Sequence, residues 1–402
     1  MQSISGRDIV VVGLQSWDTP IGSNCKNIAI ELAKNNRVLY VNYPIDTITK
    51  FRERKVPSIR RRIDIVKGKF PALEKVGDSI WNFSPTKSIT SINWIKNTFL
   101  FDLFNKRNNK TFASEIQKTI TDLGFKDIVL FNDSDMLRSF YMKELLKPDV
   151  FIYYSRDNLV AIDYWKRHGG RLEPQLIAKA DVAIANSVYL AHHMQKYNPD
   201  AEYVGQGCDV SLFDEALIDD IPADIAKITK PIIGYVGALV DARLDIQLLI
   251  MLAKSRPDWS VVLVGPEDDA FKESELHQLP NVYFTGNKDG SELPAYIKGF
   301  DVCINPQIVN ELTIGNYPRK IDEYLAMGKP VVATATEAMS VFADFTYLAN
   351  TNEHYLSLIE KALAEHTAER AEARKVFARE HTWTNNVLAI TKAIQKHYEK
   401  SN

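Results

Sequence analysis

The segment Asn310–Pro330, NELTIGNYPRKIDEYLAMGKP, gathers the side chains with the clearest chemistry. Asn316, Tyr317 and Pro318 read as the start of a helix, because proline loses nothing near a first turn whose N–H groups lack partners anyway. Gly328 reads as the residue just past its end, and Pro330 opens the next strand. Free N–H groups and the positive end of a helix dipole suit a diphosphate. Lys320 adds a cation on the first turn. Glu323 lies about one turn further along a similar face, where its carboxylate can accept hydrogen bonds from ribose hydroxyls. A helix carrying an ordinary surface Lys–Glu pair fits the same pattern.

These residues need a frame, and the hydrophobic pattern supplies one. Short apolar runs rich in β-branched residues occur at Asp8–Gly13, Arg37–Asn42, Asp127–Phe131, Val150–Tyr154 and Val182–Ala185. A second series follows at Pro231–Gly237, Trp259–Gly265, Val282–Thr285, Val302–Asn305 and Pro330–Thr334. Runs that are apolar throughout read as strands buried on both faces of a parallel sheet. Helical patterns separate them at Asn24–Lys34, Thr111–Leu123, Ile246–Ser255, Leu293–Gly299 and Arg319–Met327. The expected class is α/β, with two doubly wound, Rossmann-like parallel sheets. The acidic stretch before KPIIGYVG, at residues 211–230, lacks strand character and marks the junction. Ligands of such sheets bind outside the carboxyl ends of the strands, so a cleft between two facing domains is the expected site. The segment Asn310–Pro330 follows the fourth strand of the second series, at such an edge.

Composition narrows the class. A chain of 402 residues exceeds one ordinary domain, and 45% apolar with 25% charged residues is globular rather than disordered or fibrous. A net charge of −2 argues against a nucleic-acid binder. Cys25, Cys208 and Cys303 show no CxxC spacing, so neither a disulfide framework nor a zinc site is expected. The opening MQSISGRDIVVVG does not read as a signal peptide. No run approaches the ~18–20 apolar residues of a spanning helix. A cytoplasmic location is expected, with the option of a peripheral seat on the inner face of the plasma membrane.

The run PRKIDEYLAMGKPVVAT resembles the C-terminal signature of GT-B glycosyltransferases, especially family-four-type enzymes of capsule and cell-wall polysaccharide assembly. In order along the chain, IGYVGAL with Arg243, then VVLVGP, VYFTGNK and FDVCINP resemble the strands and loops of the family's donor domain. GQGCDVSLF resembles the stretch at its domain junction, and WDTPIGSNCKNIAIELAKNNRVLYVNYP the opening of its acceptor domain. The resemblance implies an acceptor-binding domain over 1–205 and a nucleotide-sugar domain over 206–383. It also implies a tail helix over 384–402 packed back on the first domain. Gly237, Arg243, Gly265, Asn287, Lys288, Gly315, Asn316, Lys320 and Glu323 are the implied donor-binding residues. The family carries a Glu eight residues before the signature Glu; here Gly315 takes that place, and Glu311 in the same loop is the candidate substitute beside the sugar. That departure leaves the sugar and the choice of retention or inversion open.

Transfer of a glycosyl group requires stabilisation of the leaving diphosphate. No cofactor and no metal are expected, so Arg243 and Lys320 with helix N–H groups would supply it. The Asp133-x-Asp135 pair reads as a solvated turn rather than a metal site. An inverting enzyme needs a general base. Asp157, closing VFIYYSRDNL, is the first choice, ahead of Asp18 and Asp133, although a helix cap or an Arg156 pair explains Asp157 equally. Asp18 also reads as a turn residue before a helix opened by Gly22 and Ser23. His168, His192 and His193 read as exposed helix residues.

Between Lys50 and Lys69, nine basic residues (Arg54 and Arg62 among them) face only Glu53 and Asp64, a net +7 in a chain of net −2. Phe51, Val56, Ile59, Ile63 and Phe70 interleave with them. A following stretch mixes Trp94, Phe99, Phe101 and Phe104 with Lys and Arg. Such segments suit an anionic leaflet; a solvated loop beside a core helix is the plainer alternative. The resulting expectation is a hexosyltransferase with a UDP- or GDP-type sugar donor and a glycan or lipid-linked acceptor. A nucleotide-sugar 2-epimerase on the same fold and a non-catalytic nucleotide-sugar-binding scaffold are the rivals.

Overall fold

The computed structural model describes residues 4–19, 23–53 and 55–401, so Gly22 and Arg54 lie outside the described residues. The chain divides into two compact units: residues up to Gly205 together with those from Trp383 onward, and Gln206–Thr382.

The first unit carries β1 (Asp8–Gly13), β2 (Arg37–Val41), β3 (Leu73–Lys75), β4 (Ile80–Phe83), β5 (Val129–Asp133), β6 (Val150–Ser155), β7 (Val182–Ala185) and β8 (Glu202–Tyr203). Their order is β3-β4-β2-β1-β5-β6-β7-β8, parallel except for β3 against β4. All six residues of β1 are buried, as a sheet covered on both faces demands. Successive residues point to opposite faces. Val10 and Val12 therefore join Phe112 and Ile116 of the helix Thr98–Asp122. Ile9 and Val11 join Ile28 of the helix Asn24–Leu32, and Ile390 and Ile394 of the helix Trp383–Ser401. Ser23 caps Asn24–Leu32 by accepting from Lys26 N.

The second unit carries β9 (Ile232–Val236), β10 (Ser260–Val264), β11 (Val282–Gly286), β12 (Val302–Asn305), β13 (Val331–Thr334) and β14 (Tyr347–Ala349). Their order is β11-β10-β9-β12-β13-β14, parallel throughout. Strand order reverses between β9 and β12, the switch point at which α/β sheets open a crevice at their carboxyl edge.

Several expectations change. The helix expected from Thr111 begins at Thr98, capped by Asn97. Buried Asn105, Asn108 and Asn109 break its apolar period. His168 is not exposed: it is 2% accessible and stacks on Phe101 with ring centroids 3.6 Å apart. Phe101 is core, not surface. Asp133 and Asp135 form no solvated turn, because both are fully buried and paired, with Arg156 and Arg138 respectively.

The basic stretch forms two helices, Thr47–Arg52 and Pro57–Val66. Ile59 and Ile63 pack with Ile45, while Phe51, Val56 and Phe70 remain exposed. Arg62 is drawn inward, donating to Tyr43 O with its guanidinium 4.0 Å from the Tyr43 ring. Among the described residues, no helix is long and apolar enough to cross a membrane.

Candidate functional site

Two glycines shape the carboxyl edge of the second sheet. Gly237 follows β9 with φ 139°, and Gly265 follows β10 with φ 150°. A Cβ on Gly265 would fall 2.0 Å from Gly237 O. The two loops cross so closely that side chains are excluded. Gly237 N donates to Val264 O at 2.9 Å, fixing the crossing.

Lys320 is delivered to this corner by the helix Lys320–Ala326. Its Nζ donates to the Tyr235 hydroxyl at 2.5 Å and sits 4.1 Å from the Tyr235 ring centroid. It is also 3.1 Å from where a Cβ on Gly237 would stand. Tyr235 on β9 and Gly237 just past it meet at the same corner, since a Cβ on Gly237 would stand 3.0 Å from the Tyr235 hydroxyl. The helix is pinned to the same strand, since Val236 N donates to the buried Tyr324 hydroxyl at 2.8 Å. The ammonium is thus aimed by a strand, a ring and a helix at once.

The expected helix start at Asn316–Pro318 lies instead at Lys320. The N–H groups of Ile321 and Asp322 are spent on Pro318 O and Arg319 O. The cation, more than the helix terminus, therefore carries the electrostatics here. Glu323 pairs with Arg319 Nε at 3.3 Å. Burial pushes its carboxyl above the ordinary value, against the pull of Arg319 and Lys320.

Asp322, unmarked by the sequence reading, is completely buried. Burial raises its pKa, opposed chiefly by His381. His381 Nδ1 lies 2.6 Å from Asp322 Oδ1 and 3.3 Å from the Tyr317 hydroxyl. Cys208 N donates to His381 O at 2.8 Å.

The loop before this helix is tied to the loop bearing Arg243. Asn310 Nδ2 donates to Ala242 O at 3.0 Å, and Ile308 N to Arg243 O at 3.0 Å. Arg243 and Glu311 are exposed, Gly315 is buried, and Asn316 has a buried Oδ1 without a hydrogen bond. Asn287 is exposed after β11. Lys288 is engaged: it donates to Asp224 Oδ2 at 3.0 Å and lies 5.1 Å from the Tyr296 ring. Hydrogen bonds with Tyr296 and Asp224 raise its pKa. Gly237, Gly265 and Lys320 thus meet at one corner, with Glu323 on the same helix. Arg243 shares a tied pair of loops with Glu311, Gly315 and Asn316.

In the first unit, Arg156 bridges two carboxylates: Nε reaches Asp133 at 2.8 Å and Nη1 reaches Asp157 at 3.4 Å. Burial alone would lower its pKa, but Asp133 and Asp157 raise it. Asp133 is sealed in the interior, whereas Asp157 is part-exposed at the carboxyl end of β6 and Asp18 is exposed. Among the described residues, no group of three or more His, Cys, Asp or Glu side chains is arranged to hold a metal.

Tyr235, Tyr324, Asp322 and His381 were not marked as functional from the sequence. Only Tyr235 had an available signal, its place on the strand two residues before Gly237.

Residues 230–365 match the family model for glycosyl transferases group 1. The chain is 32% identical over 177 residues to the putative teichuronic acid biosynthesis glycosyltransferase TuaH of Bacillus subtilis (strain 168), spanning 41% of this chain and 44% of that protein. The match thus reaches less than half the length of this curated relative. Sucrose-phosphate synthase from Thermosynechococcus elongatus superposes with a TM-score of 0.68 at 15% identity, covering 98% of this chain and 100% of that one. Anabaena Alr3699/HepE in complex with UDP gives 0.64 at 15% identity, covering 98% and 100%. The whole chain has the GT-B fold.

Proposed function

We propose that the protein is a glycosyltransferase. It moves a sugar from a nucleoside-diphosphate sugar to a glycan or lipid-linked acceptor during assembly of a surface polysaccharide, such as a capsule or a teichuronic-type polymer. The observation that carries this reading is the Lys320 ammonium held at the Gly237–Gly265 corner, inside the matched domain. A fixed cation beside exposed glycine backbone suits a diphosphate, whose charge grows as the glycosidic bond breaks. The teichuronic name of one relative and the UDP bound by HepE support a nucleotide-sugar donor and polymer synthesis. Neither supports the epimerase or scaffold alternatives.

In this mechanism Lys320 and Arg243 neutralise the leaving diphosphate, and Tyr235 positions Lys320. Glu323 accepts from the ribose hydroxyls, and the Glu311–Asn316 loop borders the sugar. Asp157 takes the acceptor proton if the transfer inverts. Charge neutralisation by side chains makes the reaction metal-independent. The basic helices of the first unit seat the enzyme on an anionic membrane.

A thermal-shift and calorimetric screen with UDP, GDP, CDP and ADP, with and without magnesium, tests the donor site. One nucleotide is expected to stabilise the protein without magnesium, and Lys320→Ala is expected to abolish the response. No response to any nucleotide, or one unchanged in Lys320→Ala, overturns the reading.

A further inference from the structure

The second unit contains a cavity of about 410 Å³ that none of the donor-binding side chains lines. Residues 343–346 and Tyr347, which opens β14, border it together with the helix Asn352–Ala364, Glu365 just past its end, and the helix Ala368–Arg379. Gly237 and Gly265 follow strands of the same parallel sheet, whereas Tyr347 begins one. The cavity therefore lies at the amino edge of the sheet, opposite the Lys320 corner.

Arg374 is the anomaly in its wall. The side chain is 4% exposed, and a guanidinium keeps its charge. Its Nε donates to Phe345 O at 3.4 Å and its Nη1 to Gly328 O at 3.4 Å, while Nη1 lies 3.3 Å from His366 Nδ1. These contacts are long and none is to a carboxylate. Burial lowers the Arg374 pKa, Tyr347 opposes the fall, and Arg370 adds to it. Burial and the charges of Arg374 and Lys329 also lower the His366 pKa, so the imidazole stays neutral beside the guanidinium. Among the described residues, no acid forms an ion pair with Arg374. Buried charges are ordinarily paired, because leaving one alone is costly.

The remaining charges of the wall do not supply the missing partner. Arg370 Nη1 donates to Glu365 Oε2 at 2.7 Å, Lys361 Nζ stands 3.9 Å from Glu365 Oε1, and the Tyr347 hydroxyl donates to Glu365 Oε2 at 2.9 Å. Glu365 thus answers three donors at once, and Asp344, the other carboxylate of the wall, is exposed to water. Three cations border the cavity, and the most deeply buried of them has no counter-ion. A phosphate group matches this set, because its oxygens accept from the guanidinium fork in pairs and carry charge for the neighbouring cations. The volume, within the ~300–1,000 Å³ of small-molecule sites, leaves room for the body of a phosphate ester. A neutral ligand would leave Arg374 unanswered.

The same arginine touches the donor helix. Gly328 lies just past the helix Lys320–Ala326, so Arg374 holds the far end of the element whose first residue is Lys320. A phosphate that draws Arg374 toward itself releases Gly328 O.

We infer that this cavity binds the phosphate group of a small metabolite on Arg374, with Arg370 and Lys361 beside it, and that its occupancy is felt at the donor corner through the Lys320 helix. The binding stands apart from the glycosyltransferase reading; the effect on the donor rests on it.

Thermal-shift and calorimetric titrations of the full chain test the site, with glycerol 3-phosphate, glucose 6-phosphate and inorganic phosphate as probes at ionic strength held constant with sodium chloride. UDP is kept saturating, so that the donor corner is filled. A saturable response is expected, because a ligand that binds only the folded state stabilises it. An ester that binds tenfold tighter than inorganic phosphate supports a metabolite as the ligand, and equal affinities support the free ion; both bear out the site. Arg374→Gln is expected to abolish the response. The double variant Lys361→Gln/Arg370→Gln, whose exposed side chains spare the fold, is expected to weaken it tenfold or more. UDP affinity is expected to shift threefold or more when the site is filled, and that shift should vanish in the double variant. The inference is overturned if no probe exceeds sodium chloride, if both variants respond as the wild type does, or if only Lys320→Ala removes the response. A UDP shift that survives in the double variant is competition in the donor corner and overturns the coupling. Absence of UDP binding in the wild type would sink the transferase reading, and the phosphate response without UDP would still decide the site.

Discussion

Lys320 Nζ sits 2.5 Å from the Tyr235 hydroxyl and 4.1 Å from its ring centroid, so one tyrosine both hydrogen-bonds and faces the site's central cation. Tyr235→Phe keeps the ring and removes the hydroxyl. It is expected to weaken donor affinity about three- to tenfold, the scale of one typical net hydrogen bond, because the ammonium itself remains. Lys320→Ala removes the charge and is expected to lower kcat/KM for the donor by about 10²–10³, as for loss of a preorganised electrostatic group. Steady-state kinetics with UDP binding in parallel check both. A Tyr235→Phe enzyme as impaired as Lys320→Ala would show that the tyrosine does more than aim the lysine.

The crossing of Gly237 and Gly265 sets a second expectation. A Cβ at Gly265 would meet backbone oxygen at 2.0 Å, and its φ of 150° is unfavourable for any L side chain. Gly265→Ala must push the loops apart, at a cost of about 2–4 kcal/mol. Denaturant unfolding should show that loss, and UDP binding should fall with it because Lys320 abuts the same corner. Unchanged stability would mean that the crossing relaxes freely.

On the buried side of the helix bearing Lys320, Asp322 Oδ1 has His381 Nδ1 at 2.6 Å, and its Oδ2 has no hydrogen bond. Breaking a buried pair by removing one member is costlier than replacing both. His381→Ala is therefore expected to destabilise the protein by about 3 kcal/mol. The double variant Asp322→Asn/His381→Ala should recover part of that loss, because no lone carboxylate remains inside. Additive losses in this cycle would rule out the coupling.

Glu173 offers a test with pH. It is buried, and its Oε1 accepts from the Tyr153 hydroxyl at 2.7 Å. Burial raises its pKa, with the Tyr153 hydrogen bond opposing. A raised carboxyl pKa means the folded state binds the proton more tightly than the unfolded chain. Its contribution to stability therefore falls as pH rises from the unfolded value, ~4.3, toward the folded one. Glu173→Gln keeps the Tyr153 bond without the charge. It should raise Tm at pH 7–8 and change little at pH 4. A gain that is equal at both pH values would contradict this account.

Much of this frame was legible because parallel strands buried on both faces leave an unmistakable apolar run. The strand Val302–Asn305 and the helix Ile246–Ser255 have the bounds their patterns predict. The rest was hidden for physical reasons. The helix Thr98–Asp122 buries asparagines that bond loops and neighbouring carbonyls, so it lacks an apolar stripe. Asp133 and Asp135 looked solvated because Arg156 and Arg138, which neutralise them, are recognisable as partners only in three dimensions. Lys320 was visible as a cation on a helix start, but its partner lies 85 residues earlier, on β9.

The basic stretch yields a prediction that the structure sharpens. Arg62 is buried against Tyr43, Arg61 pairs with Glu74, and Lys69 pairs with Asp64, so these three are poor contributors to a surface field. Arg52, Lys55, Arg60 and Lys67 are exposed, with Phe51 and Val56 exposed among them. Each cation near an anionic leaflet contributes about 1 kcal/mol, screened by salt. Replacing Arg52, Lys55, Arg60 and Lys67 with Gln should therefore abolish co-sedimentation with vesicles containing phosphatidylserine at low salt. Arg61→Gln alone should change it little. Phe51→Ala should weaken the binding that survives at high salt, because an inserted ring is indifferent to ionic strength. Vesicle binding that ignores lipid charge, or that the quadruple variant retains, would remove the electrostatic basis for a membrane seat.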